Sequence, residues 1–245
     1  MKAGIKIYSD KIGYDYLPKI IGHADFIEIL PLPDNGFYRK FKDFDIPFRI
    51  HAPHQMQGAD PGDKNAAERT KVCMKTAIEA ADFFDSPTIV VHPGTYKGVG
   101  SAERAIEFLK QFNDKRFLIE NLPAECCGKG ELGHLAEDIK PFLDRLKCGI
   151  CFDFGHAILT EHAKAIGYKK IIEDFLKLNP KYFHITGGSL KECIAHKELF
   201  YGDFDIEFFR RCIPKDSVVV LETPQNAEMQ KKEIHFVKTG ETPKL

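Results

Sequence analysis

The chain has 245 residues, 43% hydrophobic and 29% charged, with seven cysteines and a formal charge of −1. That length suits one α/β barrel and buries enough surface to need no disulfides, and the near-neutral balance excludes a bulk-basic nucleic-acid binder while leaving room for a local basic rim. MKAGIKIYSD lacks the apolar core of an export signal, and no apolar run approaches the roughly 20 residues that span a bilayer, so the expectation is a cytoplasmic protein with no membrane partner.

Eight β-branched or aromatic runs recur along the chain: GIKIY, DFIEIL, PFRIH, TIVVH, RFLIE, GICFD, YFHIT and SVVVLE. Helical periodicity fills most of the gaps. Residues 36–43, after the second run, form a weak predicted helix. After the third, residues 65–85 set Met74, Ala77, Ile78, Ala81 and Phe84 on one face, with Asp60-Pro61 or Asp63 as the cap. After the fourth, Ser101 is the expected N-cap, with Glu103 in the first turn and Ile106, Leu109 and Phe112 as the apolar stripe. Residues 131–146, 162–178, 205–212 and 225–237 complete the predicted helices. Residues 187–202, after the seventh run, are the one long irregular stretch. Eight strands alternating with helices predict a parallel sheet closed into a (β/α)8 TIM barrel, one domain over residues 1–245. Continuously apolar strands fit, because barrel strands are covered on both sides.

An odd cysteine count scattered through apolar segments reads as reduced thiols. Cys148 and Cys151 make a C-x-x-C, but CGICFD is strand-like and sends residues three apart to opposite faces, whereas a redox pair needs a helix N-terminus. Adjacent Cys126 and Cys127 are expected in a loop.

The strand ends carry the chemistry. The third run ends in His51, the fourth in His92, the fifth in Glu120, the sixth in Asp153; the seventh delivers His184 and the eighth Glu222. The C-terminal ends of barrel strands form the face where active sites are assembled. Carboxylates and imidazoles crowded there require compensating charge, and a mixed shell of this kind suits zinc, manganese or iron; zinc is the expected ion, with manganese or magnesium as alternatives. His156, in the turn leaving the sixth strand, and His196, in the long loop, are further candidates. His54 is a candidate substrate contact. His23, His134, His162 and His235 lie in expected loops or helices and carry no predicted role.

At these positions the chain resembles the endonuclease IV family, within the xylose-isomerase-like barrel superfamily, from about His51 to Pro224. HAPHQ resembles its H-x-x-Y segment, HPGT its H-P-G-[ST], LIEN its I-E-N, and GICFDFGHA its G-x-C-x-D-[ST]-C-H-A; YFHIT resembles the next ligand strand, HKELFYGDF the H-x-x-L-G-x-G segment, and VVLETP the L-E-T segment. The resemblance implies metal-ligand roles for His51, His92, Glu120, Asp153, His156, His184, His196 and Glu222, with Glu120 bridging two ions. Ile194 stands where the family has an aspartate, which leaves a third ion only His156 and His196 unless Glu192 or Glu198 joins them. Thr186-Gly187-Gly188-Ser189 replaces N-D-[SA]-K, His54 replaces a DNA-contacting tyrosine, and Phe154-Gly155 replaces a hydroxyl-cysteine pair.

The resemblance implies hydrolysis of DNA phosphodiesters at abasic sites by two zinc ions, with Glu120 and Glu222 as the catalytic carboxylates. DNA docking needs cations and stacking groups, and PLPDNGFYRKFK offers Phe37, Tyr38, Arg39, Lys40 and Lys42; Tyr38 and Arg39 are the predicted contacts. A single-metal sugar or sugar-phosphate isomerase or epimerase is the alternative. Glu120, Asp153, His184 and Glu222 supply the quartet of those sister families, with Glu120 and Glu222 exchanging a proton, and Glu28 in FIEIL also resembles them. An inactive metal-binding barrel, suggested by Ile194 alone, is the third expectation.

Overall fold

The computed structural model describes residues 1–34, 36–126 and 129–243. The chain opens with β1 (Lys2–Tyr8), α1 (Lys11–Tyr16), β2 (Phe26–Leu30), β3 (Phe48–His51), α2 (Ala67–Phe83), β4 (Ile89–Val91), α3 (Ser101–Lys110) and β5 (Phe117–Glu120). A small hairpin, β6 (Glu125–Cys126) and β7 (Lys129–Gly130), precedes α4 (Ala136–Leu146), β8 (Gly149–Asp153), α5 (Phe154–Lys164), α6 (Tyr168–Leu176) and β9 (Tyr182–Ile185). A second hairpin, β10 (Gly187–Ser189) and β11 (Ile194–Lys197), leads to α7 (Ile206–Cys212), β12 (Val218–Leu221) and α8 (Ala227–Thr239). Eight parallel strands close in the order β1-β12-β9-β8-β5-β4-β3-β2. The predicted barrel is the observed one.

Strand periodicity of two divides each run between two cores. Ile5, Ile27, Ile50, Ile89, Ile119, Phe152, Phe183 and Val219 belong to the large cluster beneath the helices. Phe26, Val90, Cys151, Tyr182 and Val220 form a separate, smaller cluster inside the barrel. In β9 the alternation is explicit: Tyr182 and His184 share the inner face, Phe183 and Ile185 the outer. In β8 the register pairs Cys151 with Tyr182 and Asp153 with His184, so the ligand-type side chains rise in step.

Several expectations are corrected. Residues 37–43 form a 3-10 helix, in which Tyr38 and Phe41, three apart, are both buried. The stretch 187–202 contains the β10–β11 hairpin, and Gly187 is required there because a Cβ would meet the Glu198 carbonyl at 1.8 Å. The predicted helix 162–178 is two helices, α5 ending at left-handed Ala165 and α6 starting after Gly167. Short α1 went unpredicted. Gly100, not Ser101, caps α3; the Ser101 hydroxyl donates back to the Gly98 carbonyl instead. Residues 131–135 precede α4 rather than opening it. Asp63 caps the turn entering α2, while Asp60 accepts from Gly62 and Thr95 backbone N–H groups. Cys126 lies in β6, and Cys127 falls outside the described residues. Cys148 and Cys151 are both free thiols, Cys151 facing the barrel interior.

Candidate metal centre

The C-terminal mouth of the barrel brings together His51, His92, Glu120, Asp153, His184 and Glu222. Glu120 is central and its two oxygens face different partners. Oε2 lies 3.1 Å from His51 Nε2 and 3.0 Å from His92 Nε2, while Oε1 lies 3.1 Å from His184 Nδ1. On that second side, His184 Nδ1 is also 2.8 Å from Glu222 Oε1 and 4.0 Å from Asp153 Oδ2. Four overlapping donor groups result among the described residues, His51/His92/Glu120, Glu120/Asp153/His184/Glu222, Glu28/His51/His184/Glu222 and Glu120/Cys151/His184, each with all ligand atoms within 4.8 Å of one another; the first two meet only at Glu120. Groups of this composition and spacing fit divalent cations.

Local structure prepares the donors. Asp153 ends β8 and is also the N-cap of α5: its Oδ1 accepts the His156 backbone N–H at 2.7 Å, leaving Oδ2 buried without a hydrogen-bond partner. An orphaned carboxylate oxygen aimed into a donor cluster is what a cation would satisfy. Asn121 fixes the Asp153 backbone, accepting its N–H at 2.7 Å and donating to its carbonyl at 2.9 Å. His51 Nδ1 donates to the Ala52 carbonyl at 2.8 Å, so its Nε2 lone pair faces Glu120. His92 Nδ1 donates to Gln55 Oε1 at 3.0 Å, and the Gln55 amide is oriented by its own donation to Glu131.

Electrostatics divide the cluster in two. Burial outweighs Glu120 at His92 and brings its pKa down to about 4, so this imidazole is neutral at physiological pH. Burial also lowers His54, reinforced by His92 and His51. At His184 the order reverses: burial opposes charge, but Cys151 and the carboxylates of Glu28, Glu222 and Glu120 hold its pKa well up. Burial opposes ionisation of Glu120 and Glu222 too. His184 and His92 outweigh it at Glu120, and Lys6 and His184 outweigh it at Glu222. At Asp153 burial wins and the pKa rises.

His156 and His196 approach one another, ring centroids 5.8 Å apart. His156 sits in the first turn of α5 rather than in a loop, and its Nδ1 donates to the Asn121 carbonyl at 2.8 Å. His196 lies on β11, half-exposed, with Nδ1 3.4 Å from Glu222 Oε2. Among the described residues, none of the potential metal-holding groups contains either histidine. Ile194 is apolar, and Glu198 accepts from Asn226, which turns it away. A complete ligand set around His156 and His196 is therefore absent among the described residues.

The remaining predicted contacts separate. His54 stacks on His92 at 4.4 Å and lines a cavity of about 390 Å³ with Lys6, His92, His156, His196 and Glu222. Tyr38 is buried, and the Arg39 guanidinium lies over the rings of Tyr38 and Phe83. Phe83 is the last residue of α2, which returns the chain to the start of β4, so this basic segment sits at the end of the barrel opposite the metal-type cluster. The expected substrate contacts at Tyr38 and Arg39 are corrected on that ground. The aromatic residues of PLPDNGFYRKFK were needed for packing.

Four residues at the centre escaped the sequence reading. Lys6 Nζ donates to Glu222 Oε1 at 2.7 Å; burial opposes its charge, but Glu222, Glu120 and Glu28 outweigh burial and raise its pKa. Tyr182 donates to Glu28 at 2.6 Å, and Gln55 and Asn121 orient ligands as described. A lysine inside GIKIY and a tyrosine two before His184 were visible signals of inward-facing polar groups. Gln55 carried none.

The family model described as xylose isomerase-like TIM barrel matches residues 10–240. A curated relative, the probable endonuclease 4 of Aquifex aeolicus (strain VF5), is 29% identical over an alignment of 149 residues that covers 55% of this chain and 48% of that protein. The matched region thus spans about half of that relative's length. Among solved structures, a D-tagatose 3-epimerase-like protein superposes with a TM-score of 0.70 at 20% identity, covering 98% of this chain and 99% of that one. Endonuclease IV from Thermus thermophilus superposes with a TM-score of 0.67 at 18% identity, covering 98% of each chain. At these identities the structural likenesses establish the fold.

Proposed function

The chain belongs to the xylose isomerase-like TIM barrel family, and from that premise we propose that it is a divalent-metal-dependent phosphodiester hydrolase acting on DNA at abasic sites. The observation that carries the proposal is the division of Glu120 between two donor groups, one oxygen to His51 and His92, the other to His184. A carboxylate so shared suits a pair of ions, zinc being the best match to the imidazole-rich side. Bound there, such ions supply an activated water and neutralise phosphate oxygens.

The protein's own groups then have defined tasks. His51 and His92 present Nε2 lone pairs because Ala52 and Gln55 accept from Nδ1. Asn121 and the α5 N-cap hold Asp153 with Oδ2 free. Lys6 brings a fixed positive charge into the cavity, where it meets Glu222 and faces an anionic substrate. With Tyr38 and Arg39 at the far end, stacking contacts fall to loops leaving the strand C-termini, where Met56, Tyr96 and Tyr201 are exposed. This reading draws its substrate from the curated relative and its ion pair from the donor geometry.

A sugar isomerase or epimerase is the second reading. It is favoured by the convergence of Glu120, Asp153, His184 and Glu222 as one group beside a cavity of about 390 Å³, a size that suits a small ligand. Metal analysis of the purified protein, combined with nicking of a duplex containing one abasic analogue, tests the choice. Two ions per chain and chelator-sensitive nicking are expected for the hydrolase. One ion, no nicking and turnover of a ketose would overturn it in favour of the epimerase.

A further inference from the structure

Four imidazoles at the mouth, His51, His92, His156 and His184, each set one ring nitrogen against a protein acceptor, and the acceptors are unequal. His51 uses the Ala52 carbonyl, His92 the Gln55 amide and His156 the Asn121 carbonyl. All three are neutral. His184 instead places Nε2 3.2 Å from Glu28 Oε2, a carboxylate with no exposed surface. The same oxygen accepts the Tyr182 hydroxyl at 2.6 Å, and the Arg49 guanidinium lies 5.5 Å from the Tyr182 ring centroid. Glu28 Oε1 has no hydrogen-bond partner.

A buried carboxylate in that position is costly, and Phe26, Val90 and Val220 show that apolar side chains fill other positions of the barrel interior. What Glu28 provides that an apolar residue does not is an anionic acceptor within hydrogen-bond distance of one imidazole, His184, although His51 also lies nearby. A carboxylate behind a ligating histidine fixes its tautomer and strengthens it as a donor. The asymmetry continues in front. The His184 side offers Asp153 and Glu222 besides Glu120, whereas the group that joins His51 to His92 holds Glu120 as its single carboxylate.

We propose that Glu28 is a positioning residue that holds His184 Nδ1 toward the Asp153 and Glu222 carboxylates and makes this side the tighter of two unequal cation sites. The protein then keeps one resident ion there and fills the His51/His92 side only at higher free metal. The inference rests on the metal-binding reading above and adds an order of loading to it.

The test is a zinc titration of chelator-stripped protein against a competing chromophoric chelator. The wild type is expected to load in two steps at least tenfold apart in affinity. Glu28→Gln keeps the size of the side chain and removes its charge. It should weaken the tight step by about 10- to 100-fold and leave the weak step where it was. Tyr182→Phe, which leaves the carboxylate in place, should weaken the tight step by a few-fold and carries the test if Glu28→Gln fails to fold. Cobalt bound at one equivalent should show an altered visible spectrum in the variant, a change that general loosening of the barrel would not confine to the first equivalent. Two indistinguishable steps in the wild type, or variants that shift both steps equally or neither, overturn the inference while leaving the metal-binding reading intact. A wild type that binds no zinc removes both.

Discussion

At their N-terminal ends the barrel strands send Phe26, Tyr182 and Val218 inward, with the Arg49 guanidinium lying over the Phe26 and Tyr182 rings. At their C-terminal ends the same strands send in His51, Glu120, Asp153, His184 and Glu222. The first end buries apolar area and seats Arg49 on aromatic faces and on the Thr88 hydroxyl, which favours folding. The second gathers carboxylates against few cations, Lys6 chief among them, and is costly until further positive charge arrives. Stability and chemistry are thus separated along one axis. Substitutions at one end should leave the other's property standing.

The largest expected effect breaks the chemical end. Glu120→Gln removes the one carboxylate common to both donor groups, and should cut hydrolysis by roughly 10³-fold or more and deplete both ions. Parallel metal analysis and nicking assays check this, and a fully active variant would refute the ion-pair geometry. At the other end, Phe26→Ala should cost about 3–5 kcal/mol in denaturant unfolding, because its ring fills the barrel interior. Its metal content should be unchanged. A loss of metal equal to that of Glu120→Gln would show that the two ends are not independent.

A smaller effect concerns another buried carboxyl near the mouth. Glu233 in α8 accepts the Leu199 N–H and the Thr223 hydroxyl, both at 2.7 Å, tying the segment after β11 and the residue beside Glu222 to the helix layer. Burial raises its pKa to about 7. Between roughly pH 4.5 and 7 the folded protein retains a proton that the unfolded chain has released, so stability falls as pH rises through this window and is lowest above it. Glu233→Gln mimics the protonated form. It should flatten that slope and gain about 1–3 kcal/mol above pH 7, measured by denaturation at several pH values. An unchanged slope would assign the pH dependence to other groups.

The smallest change sharpens the comparison at the rim. Ile194→Asp adds a carboxylate on β11, the strand that carries His196, and should raise zinc occupancy near His156 and His196 by a few-fold. Unaltered metal content would mean that β11 does not aim position 194 between the two rings.

Much of this molecule was legible before any coordinates. A side-chain period of two and apolar coverage on both faces mark each barrel strand, and the polar residue that interrupts a run at its C-terminal end is where the pattern must break; His51, His92, Glu120, Asp153, His184 and Glu222 all met that description and all converge. Residues 37–43 show the limit, since a run of aromatics and cations reads equally as a binding surface or as packing, and the choice came from Phe83 and Phe84 packing against Tyr38. Lys6, Glu28 and Tyr182 owe their meaning to strands far apart in the chain. Their partners come from the closure of the barrel, which joins β1 to β12 and sets β2 across from β9. Local pattern names the elements and the residue types at their ends. Which oxygen of Glu120 faces which imidazole, and which histidine has a carboxylate behind it, depend on the stagger and curvature of the closed sheet, and those are properties of all eight strands together.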